Sequence, residues 1–309
     1  MNVLVSGAAG FLGSHLCDKL VEKGYKVFGV DNLISGRREN LQNVIKKVNF
    51  TFVNHNVNER LELKEKLNII FHFASVASPL YYLNYPIETM LANSIGTYNL
   101  LEICRLNNSR FILASTSEIY GDPLKHPQKE DYWGNVNPIG PRSVYDESKR
   151  FAESLSMAYF RKYGLDIRIV RIFNTYGPRM RTDDGRVIPN FIQKALQNEY
   201  LEIYGDGSQT RSFCYVDDLL DGVMRIALKE NLDAEVFNLG NTAEITILEL
   251  ASLVIRLTSS KSGIVFGKMQ VNDPKMRCPD ISKALRMVDW YPKVKIEEGL
   301  INTIKYFQH

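Results

Sequence analysis

Short apolar runs of strand length alternate with stretches of helical spacing through the first half of this chain, and no other feature restricts the fold as much. Residues 2–6 read as a buried strand, and Leu16, Leu20 and Val21 then recur at helical spacing. Strand patterns return over 26–30, 49–53, 69–73, 110–115 and 166–171. Long helical patterns fill 86–107 and 143–163. Strands separated by helices demand parallel pairing through right-handed crossovers, so the expected class is α/β with a doubly wound parallel (Rossmann) sheet. The second half is punctuated by Gly177-Pro178, Asp184-Gly185 and Gly205-Asp206-Gly207. Helices are expected over 217–228, 247–257 and 297–307, and a strand over 236–239. With no linker or repeat in sight, this part is expected to form a smaller α/β region packed on the sheet.

Composition narrows the partners. The chain has 309 residues, enough for a core without disulfide or metal staples. A formal charge of +3 gives no electrostatic case for nucleic acid. The longest apolar run, 69–77, is broken by His72 and Ser75, so no membrane span is expected. The sequence starts on a strand pattern without a basic leader, and Cys17, Cys104, Cys214 and Cys278 are scattered, which points to a reducing cytoplasm. Five dispersed histidines predict no metal site.

The turn after the first strand is Gly7-Ala8-Ala9-Gly10-Phe11-Leu12-Gly13. Gly7 permits a tight turn, Gly10 a close approach of backbone to a pyrophosphate, and Gly13 close packing of helix on sheet. Helix-start amides then face phosphate. Asp31 ends the second strand pattern, where a carboxylate accepts from ribose hydroxyls and repels a 2′-phosphate. NAD is therefore the expected cofactor, with Arg37-Arg38 the only feature that would suit a phosphate instead.

Tyr145 and Lys149 are four residues apart and share a helix face. A tyrosine titrates near pH 10, so a neighbouring cation is needed before it acts as a base near neutrality. Thr116, Ser117 and Glu118 follow the fifth strand, at the carboxyl edge where ligands bind in such sheets.

The G-x-x-G-x-x-G spacing and Y-x-x-x-K resemble the extended short-chain dehydrogenase/reductase superfamily. Further segments narrow the resemblance: His72-Phe73-Ala74-Ser75, Asn93-Ser94-Ile95-Gly96-Thr97, residues 114–123 (ASTSEIYGDP), Asp131-Tyr132-Trp133-Gly134, Asn137-Pro138-Ile139-Gly140-Pro141-Arg142, Asn174-Thr175-Tyr176-Gly177-Pro178-Arg179-Met180 and Arg277-Cys278-Pro279-Asp280. Together they are similar to the UDP-glucuronic acid decarboxylase (UDP-xylose synthase) family over nearly the whole chain. Sister 4,6-dehydratases carry Thr-Asp-Glu where this chain has Thr116-Ser117-Glu118, and 4-epimerases usually lack an acid at the Glu118 position.

The resemblance implies decarboxylation of UDP-glucuronate to UDP-xylose through a 4-keto intermediate, with NAD regenerated within the cycle. A 4-epimerase, a 4,6-dehydratase and an oxidative decarboxylase releasing the 4-keto pentose are the alternatives. It implies catalytic roles for Thr116, Ser117, Glu118, Tyr145, Lys149 and Arg277. Gly7, Gly10, Phe11, Leu12, Gly13, Asp31, Asn32, Ser35, Gly36, Asn56, Val57, Phe73, Ala74, Ser75 and Asn93, with Tyr145 and Lys149, would hold NAD. Tyr82, Glu118, Asn174, Arg186, Tyr204, Arg211 and Arg277 would hold the UDP-sugar, with Arg277 in the region of the sugar carboxylate. Residues 1–173, with a return of 212–240, would form the NAD-binding domain, and 174–211 with 241–309 the UDP-sugar region. Relatives pair helices into a four-helix bundle, implying a homodimer through 86–107 and 143–163, with Met90, Leu91 and Met157 in the seam. Three departures stand out: Asn56 where the family often has Asp, Phe73 after His72 where Leu is commoner, and Cys278 where Lys is frequent.

Overall fold

A computed structural model describes residues 1–183, 185–268 and 277–308. The order of elements is β1 (Asn2–Ser6), α1 (Phe11–Glu22), β2 (Lys26–Asp31), β3 (Phe50–Asn54), β4 (Ile69–His72), α2 (Pro79–Asn84), α3 (Pro86–Asn107), β5 (Arg110–Thr116), α4 (Ser143–Tyr163) and β6 (Ile167–Ile172). There follow β7 (Thr175–Tyr176), α5 (Val187–Leu196), β8 (Leu201–Tyr204), β9 (Thr210–Ser212), β10 (Cys214–Tyr215), α6 (Val216–Leu228), β11 (Glu235–Leu239), β12 (Glu244–Thr246), α7 (Ile247–Thr258), β13 (Ile264–Gly267), α8 (Ser282–Val288) and α9 (Ile296–Phe307).

Seven strands form one sheet in the order β3-β2-β1-β4-β5-β6-β11, every pair parallel. This is the doubly wound order, and the winding reverses between β1 and β4. Both faces of the sheet are covered, which is why its strands read as near-continuous apolar runs rather than alternations. One face packs on α3 and α4 through Leu100, Leu101, Cys104 and Ala152. The other packs on α1 and α6 through Leu16, Leu20, Leu219 and Val223, and runs on into the C-terminal region.

The long helices end where their sequence makes them end. Asn108 and Gly164 take left-handed conformations after α3 and α4, and each donates its backbone N–H to the last turn. Thr246 and Glu249 form a reciprocal capping box that starts α7. The C-terminal region carries three two-stranded ribbons, β7–β10, β8–β13 and β9–β12. The periodicity reading missed α5, α8 and the short ribbon strands and, among the shortest elements, α2, with a proline at its first position, and the 3-10 turns Arg38–Leu41 and Ser117–Tyr120. Six residues or fewer show too little of a 3.6-residue period to be recognised.

Candidate active site

A cleft of about 680 Å³ lies at the carboxyl ends of β1, β4, β5 and β6, over the point where the winding reverses. At one end the glycine turn brings α1 hard against the sheet. Gly7 has φ +73°, and a Cβ there would lie 2.7 Å from the Phe73 carbonyl carbon. A Cβ on Gly13 would lie 2.0 Å from the Gly7 carbonyl oxygen. No side chain caps α1 and no acid occupies its first turn, so its leading amides are left for an anion. Gly7, Gly10, Phe11, Leu12, Gly13, Ser35, Phe73 and Ser75 all line the cleft.

Asp31 is buried beside this turn. Its carboxylate accepts from the Ala9 N–H at 2.9 Å and the Leu33 N–H at 2.8 Å. Burial pushes its pKa up, against those two hydrogen bonds. Gly36 stands close: a Cβ on it would lie 2.9 Å from Asp31 Oδ1. Asn32 is exposed, and its side chain accepts from the Ile34 N–H. Arg38 lies over the Phe52 ring at 5.5 Å. Asn40, which the sequence reading passed over, is buried in the cleft wall. It donates to the Ala9 carbonyl and leaves Oδ1 without a partner. A glycine cradle that any Cβ would fill, a buried ribose-side carboxylate, and unpartnered Asn40 Oδ1 and Ser75 Oγ in the cleft together fit NAD.

The cleft floor depends on one buried histidine. His72 Nε2 is 3.0 Å from Thr97 Oγ1, and His72 Nδ1 is 2.9 Å from Ser6 Oγ. Thr97 gives its own proton to the Asn93 carbonyl, so it accepts from His72 Nε2–H. Ser6 Oγ accepts from the Phe73 and Ala74 N–H groups and therefore donates to Nδ1. Neutral His72 with its proton on Nε2 satisfies every member of this chain. Burial, with help from the Lys149 charge, pulls its pKa down to about 3.

Asn93, Asn56 and Val57, also expected at the cofactor, are not among the residues lining the cleft. Asn93 donates to Ser148 Oγ at 2.9 Å and fastens α3 to α4. Asn56 accepts from the Asn58 N–H and closes a local turn. Val57 packs in the core behind Gly96.

At the centre of the cleft are Tyr145, Lys149, Thr116, Ser117 and Glu118. Tyr145 is buried and hydrogen-bonded to Thr116. Burial drives its phenol above the ordinary value, and the Thr116 contact opposes this. Lys149 Nζ donates to the Ala114 carbonyl at 2.8 Å and lies 5.9 Å from the Tyr145 ring centre. Burial pulls Lys149 down to about 7, with Glu153 opposing. Glu153 is itself held by Arg171 and Ser115. Tyr82, on α2, stacks parallel to Tyr145 at 5.4 Å, and its hydroxyl is buried without a partner.

Glu118 carries the charge pattern of the site. Arg277 donates to its Oε1 and Arg142 to its Oε2. Burial alone would raise this carboxyl, but the two guanidinium charges hold it down at about 2. Asp146, one helical turn beyond Arg142, goes the other way: burial, then the Glu118 charge, push it up to about 7.

Arg277 reaches Glu118 from 159 positions away because its segment is pinned by main-chain pairing. Gln128 and Cys278 exchange bonds through their backbones and the Gln128 side chain. Asn238 donates to the Gln128 carbonyl and accepts from Tyr120. Cys278 takes part in this pinning through its backbone, while its thiol lies 3.5 Å from the Thr242 carbonyl. Arg142, Gln128 and Asn238 were not predicted as site residues. Arg142 was quoted only as part of a motif, and the other two carry no local signal.

Asn174, Arg186, Tyr204 and Arg211 line the other end of the cleft, with Gln209. Tyr204 is half exposed, and Gln209 donates to its carbonyl at 2.7 Å. Asp184, beside Arg186, lies outside the described residues.

Residues 3–240 match the NAD dependent epimerase/dehydratase family. UDP-glucuronic acid decarboxylase 1 of Danio rerio is 50% identical over 305 residues, which cover 99% of this chain and 72% of that protein. UDP-glucuronic acid decarboxylase 3 of Arabidopsis thaliana is 50% identical over 301 residues, covering 97% of this chain and 87% of that one. The chain belongs to the UDP-glucuronic acid decarboxylases. The fold is shared more widely. A UDP-glucuronic acid 4-epimerase of Bacillus cereus, solved with UDP-glucuronic acid and NAD, superposes with a TM-score of 0.89 at 29% identity, covering 100% of this chain and 99% of that one. What separates this decarboxylase chain from a shared scaffold is therefore sought in the site rather than in the fold.

Proposed function

We propose that this decarboxylase converts UDP-glucuronate to UDP-xylose with no net consumption of NAD. The observation that carries the reading is Glu118 held between Arg142 and Arg277, beside the Tyr145–Lys149 pair. Tyr145 takes the C4 hydroxyl proton as C4 is oxidised, and Thr116 shares its hydrogen bond. NAD, held by the glycine turn and Asp31, would supply the acceptor and later the donor of the C4 hydride and a positive charge that favours loss of the Tyr145 proton. Lys149, in its protonated form, adds a second positive charge close to the phenol. The resulting 4-ketone makes the C5 carboxylate that of a β-keto acid. As carbon dioxide leaves, Tyr145 and Thr116 are the donors placed to steady the enolate oxygen at C4, and C5 then takes up a proton from solvent in place of the carboxylate before C4 is reduced again. Arg277 holds Glu118 in the region of the sugar carboxylate, and Ser117 lines the cleft beside them. Asn174, Arg186, Tyr204 and Arg211 receive the UDP end, where arginines suit phosphate. Tyr82 offers its unpartnered hydroxyl to the sugar or phosphate. Ser117, where a leaving-group acid would be required, speaks against a dehydratase.

The division at residue 173, with 212–240 returning to the sheet-bearing part, is supported by the pairing of β11 with β6. A homodimer through α3 and α4 is supported by exposed Ile87, Met90, Ile95, Tyr98 and Phe151 on those helices. Leu91 and Met157 are half-buried within the subunit and contribute less to such a seam. Four buried free cysteines suit a reducing cytoplasm. Among the described residues no helix is long and apolar enough to cross a membrane.

The test is incubation with UDP-glucuronate and NAD while following carbon dioxide, the sugar nucleotide and absorbance of reduced cofactor. Carbon dioxide with UDP-xylose and no net reduced cofactor is expected. Stoichiometric reduced cofactor would make the enzyme an oxidative decarboxylase, and a product of unchanged mass would make it an epimerase.

A further inference from the structure

In the arrangement around Glu118, two guanidiniums meet one carboxylate, one on each oxygen. Glu118 is ionised, so the pair of arginines keeps one positive charge that this carboxylate does not balance. The adjoining acid, Asp146, is buried and its carboxyl is pushed up to about 7, so near neutrality it offsets only part of that charge. The surplus charge faces the cleft beside Tyr145, for Glu118, Arg142 and Arg277 all line it.

The two arginines differ in freedom. The Arg277 side chain is 5% exposed, donates to the Gly121 carbonyl as well as to Glu118, and rides on a backbone pinned to Gln128. The Arg142 side chain is 23% exposed and precedes the first turn of α4. It donates to Glu118. An arriving anion can recruit Arg142 by a side-chain rotation, whereas recruiting Arg277 means breaking a buried network.

Given that the substrate is a UDP-sugar bearing a carboxylate, we propose that Arg142 is the residue that selects for that carboxylate. Its guanidinium passes from Glu118 to the sugar carboxylate, while Arg277 remains on Glu118. The exchange keeps every charge paired: Arg277 with Glu118, Arg142 with the substrate. It also leaves the Glu118 charge next to the carboxylate. That repulsion is present in the ground state and relieved when neutral carbon dioxide departs, the differential that speeds a step. A grip by both arginines would stabilise the carboxylate and slow its loss.

The experiment uses the NAD-loaded enzyme in a Tyr145→Phe background, where turnover is slowed by about 100-fold or more, and measures binding of UDP-glucuronate and UDP-xylose by calorimetry. UDP-xylose lacks the carboxylate. Losing one charge-assisted pair corresponds to roughly 10- to 150-fold in affinity. Arg142→Gln is therefore expected to weaken UDP-glucuronate by about that factor and UDP-xylose by less than about threefold, and Arg142→Lys to recover part of the difference. Equal weakening of both ligands would mean a structural role and overturn the proposal. So would unchanged binding of UDP-glucuronate. Decarboxylation by the unmodified enzyme is scored separately, so its absence would count against the functional reading and not against this assignment.

Discussion

Lowering the pH from 7 to 5 loads a specific cost onto His72. The ring is fully buried, and burial followed by the Lys149 charge lowers its pKa to about 3, against 6.5 in the unfolded chain. A depressed histidine contributes its full stability above the unfolded pKa and loses it as the pH falls toward the folded one. At pH 5 the solution lies 1.5 units below 6.5, and each unit costs about 1.4 kcal/mol, so the native state loses about 2 kcal/mol to this group. The geometry says why. A protonated ring must donate from both nitrogens, but Ser6 Oγ already receives two backbone N–H groups and has its proton aimed at Nδ1. Urea unfolding at pH 7 and pH 5, on the native chain and on His72→Gln, isolates the effect from carboxylates that titrate in the same range. His72→Gln is expected to be less stable at pH 7, yet to lose about 2 kcal/mol less than the native chain on going to pH 5. Equal losses in the two proteins would refute the buried neutral histidine. NAD affinity should fall with stability, because the same hydrogen bonds hold Phe73 and Ala74 at the cofactor cleft.

Three further outcomes are expected. Tyr145→Phe should leave UDP-sugar binding nearly intact and reduce kcat by about 100-fold or more, read as carbon dioxide release. Gly13→Ala must displace the Gly7 carbonyl, which a Cβ would approach to 2.0 Å, so thermal unfolding should shift down by the equivalent of at least about 2 kcal/mol and NAD binding should be lost in fluorescence titration. Asp146→Asn removes a buried acid whose folded pKa is raised to about 7 from 3.8. The penalty of ionising it is absent below the lower value and complete above the upper one, so the variant's gain in Tm should be larger at pH 8 than at pH 5, by the equivalent of on the order of 2 kcal/mol.

The first half of the fold was legible because its elements are long and locally encoded. The predicted 86–107 and 143–163 coincide with α3 and α4, and the strand expected over 236–239 is β11 of the main sheet. Residues close in sequence to the carboxyl edge, Gly7 to Gly13 and Thr116 to Glu118, fall in the cleft as expected. Residues acting at a distance were read less well. The Asn93 amide donates to Ser148 across the α3–α4 contact and keeps a buried Oδ1 without a partner, neither of which its sequence neighbours signal. Tyr82, expected at the UDP-sugar with no element assigned to it, sits on the short α2, stacked on Tyr145. Asn40 was missed because its use, a bond to the Ala9 carbonyl, depends on a segment that merely returns to the glycine turn.

The sequence by itself determined the α/β class, the glycine turn, the acid at the end of β2 and the Tyr145–Lys149 spacing. These features are written in contacts only a few residues long, where 3.6-residue periodicity and glycine's missing Cβ act directly. Only the tertiary structure decided how Glu118 is charged. Its two arginines stand 24 and 159 residues away, and one reaches it through a backbone held by Gln128 and Asn238. An acid's pKa depends on distance in space and on burial, and neither quantity exists until the chain has folded.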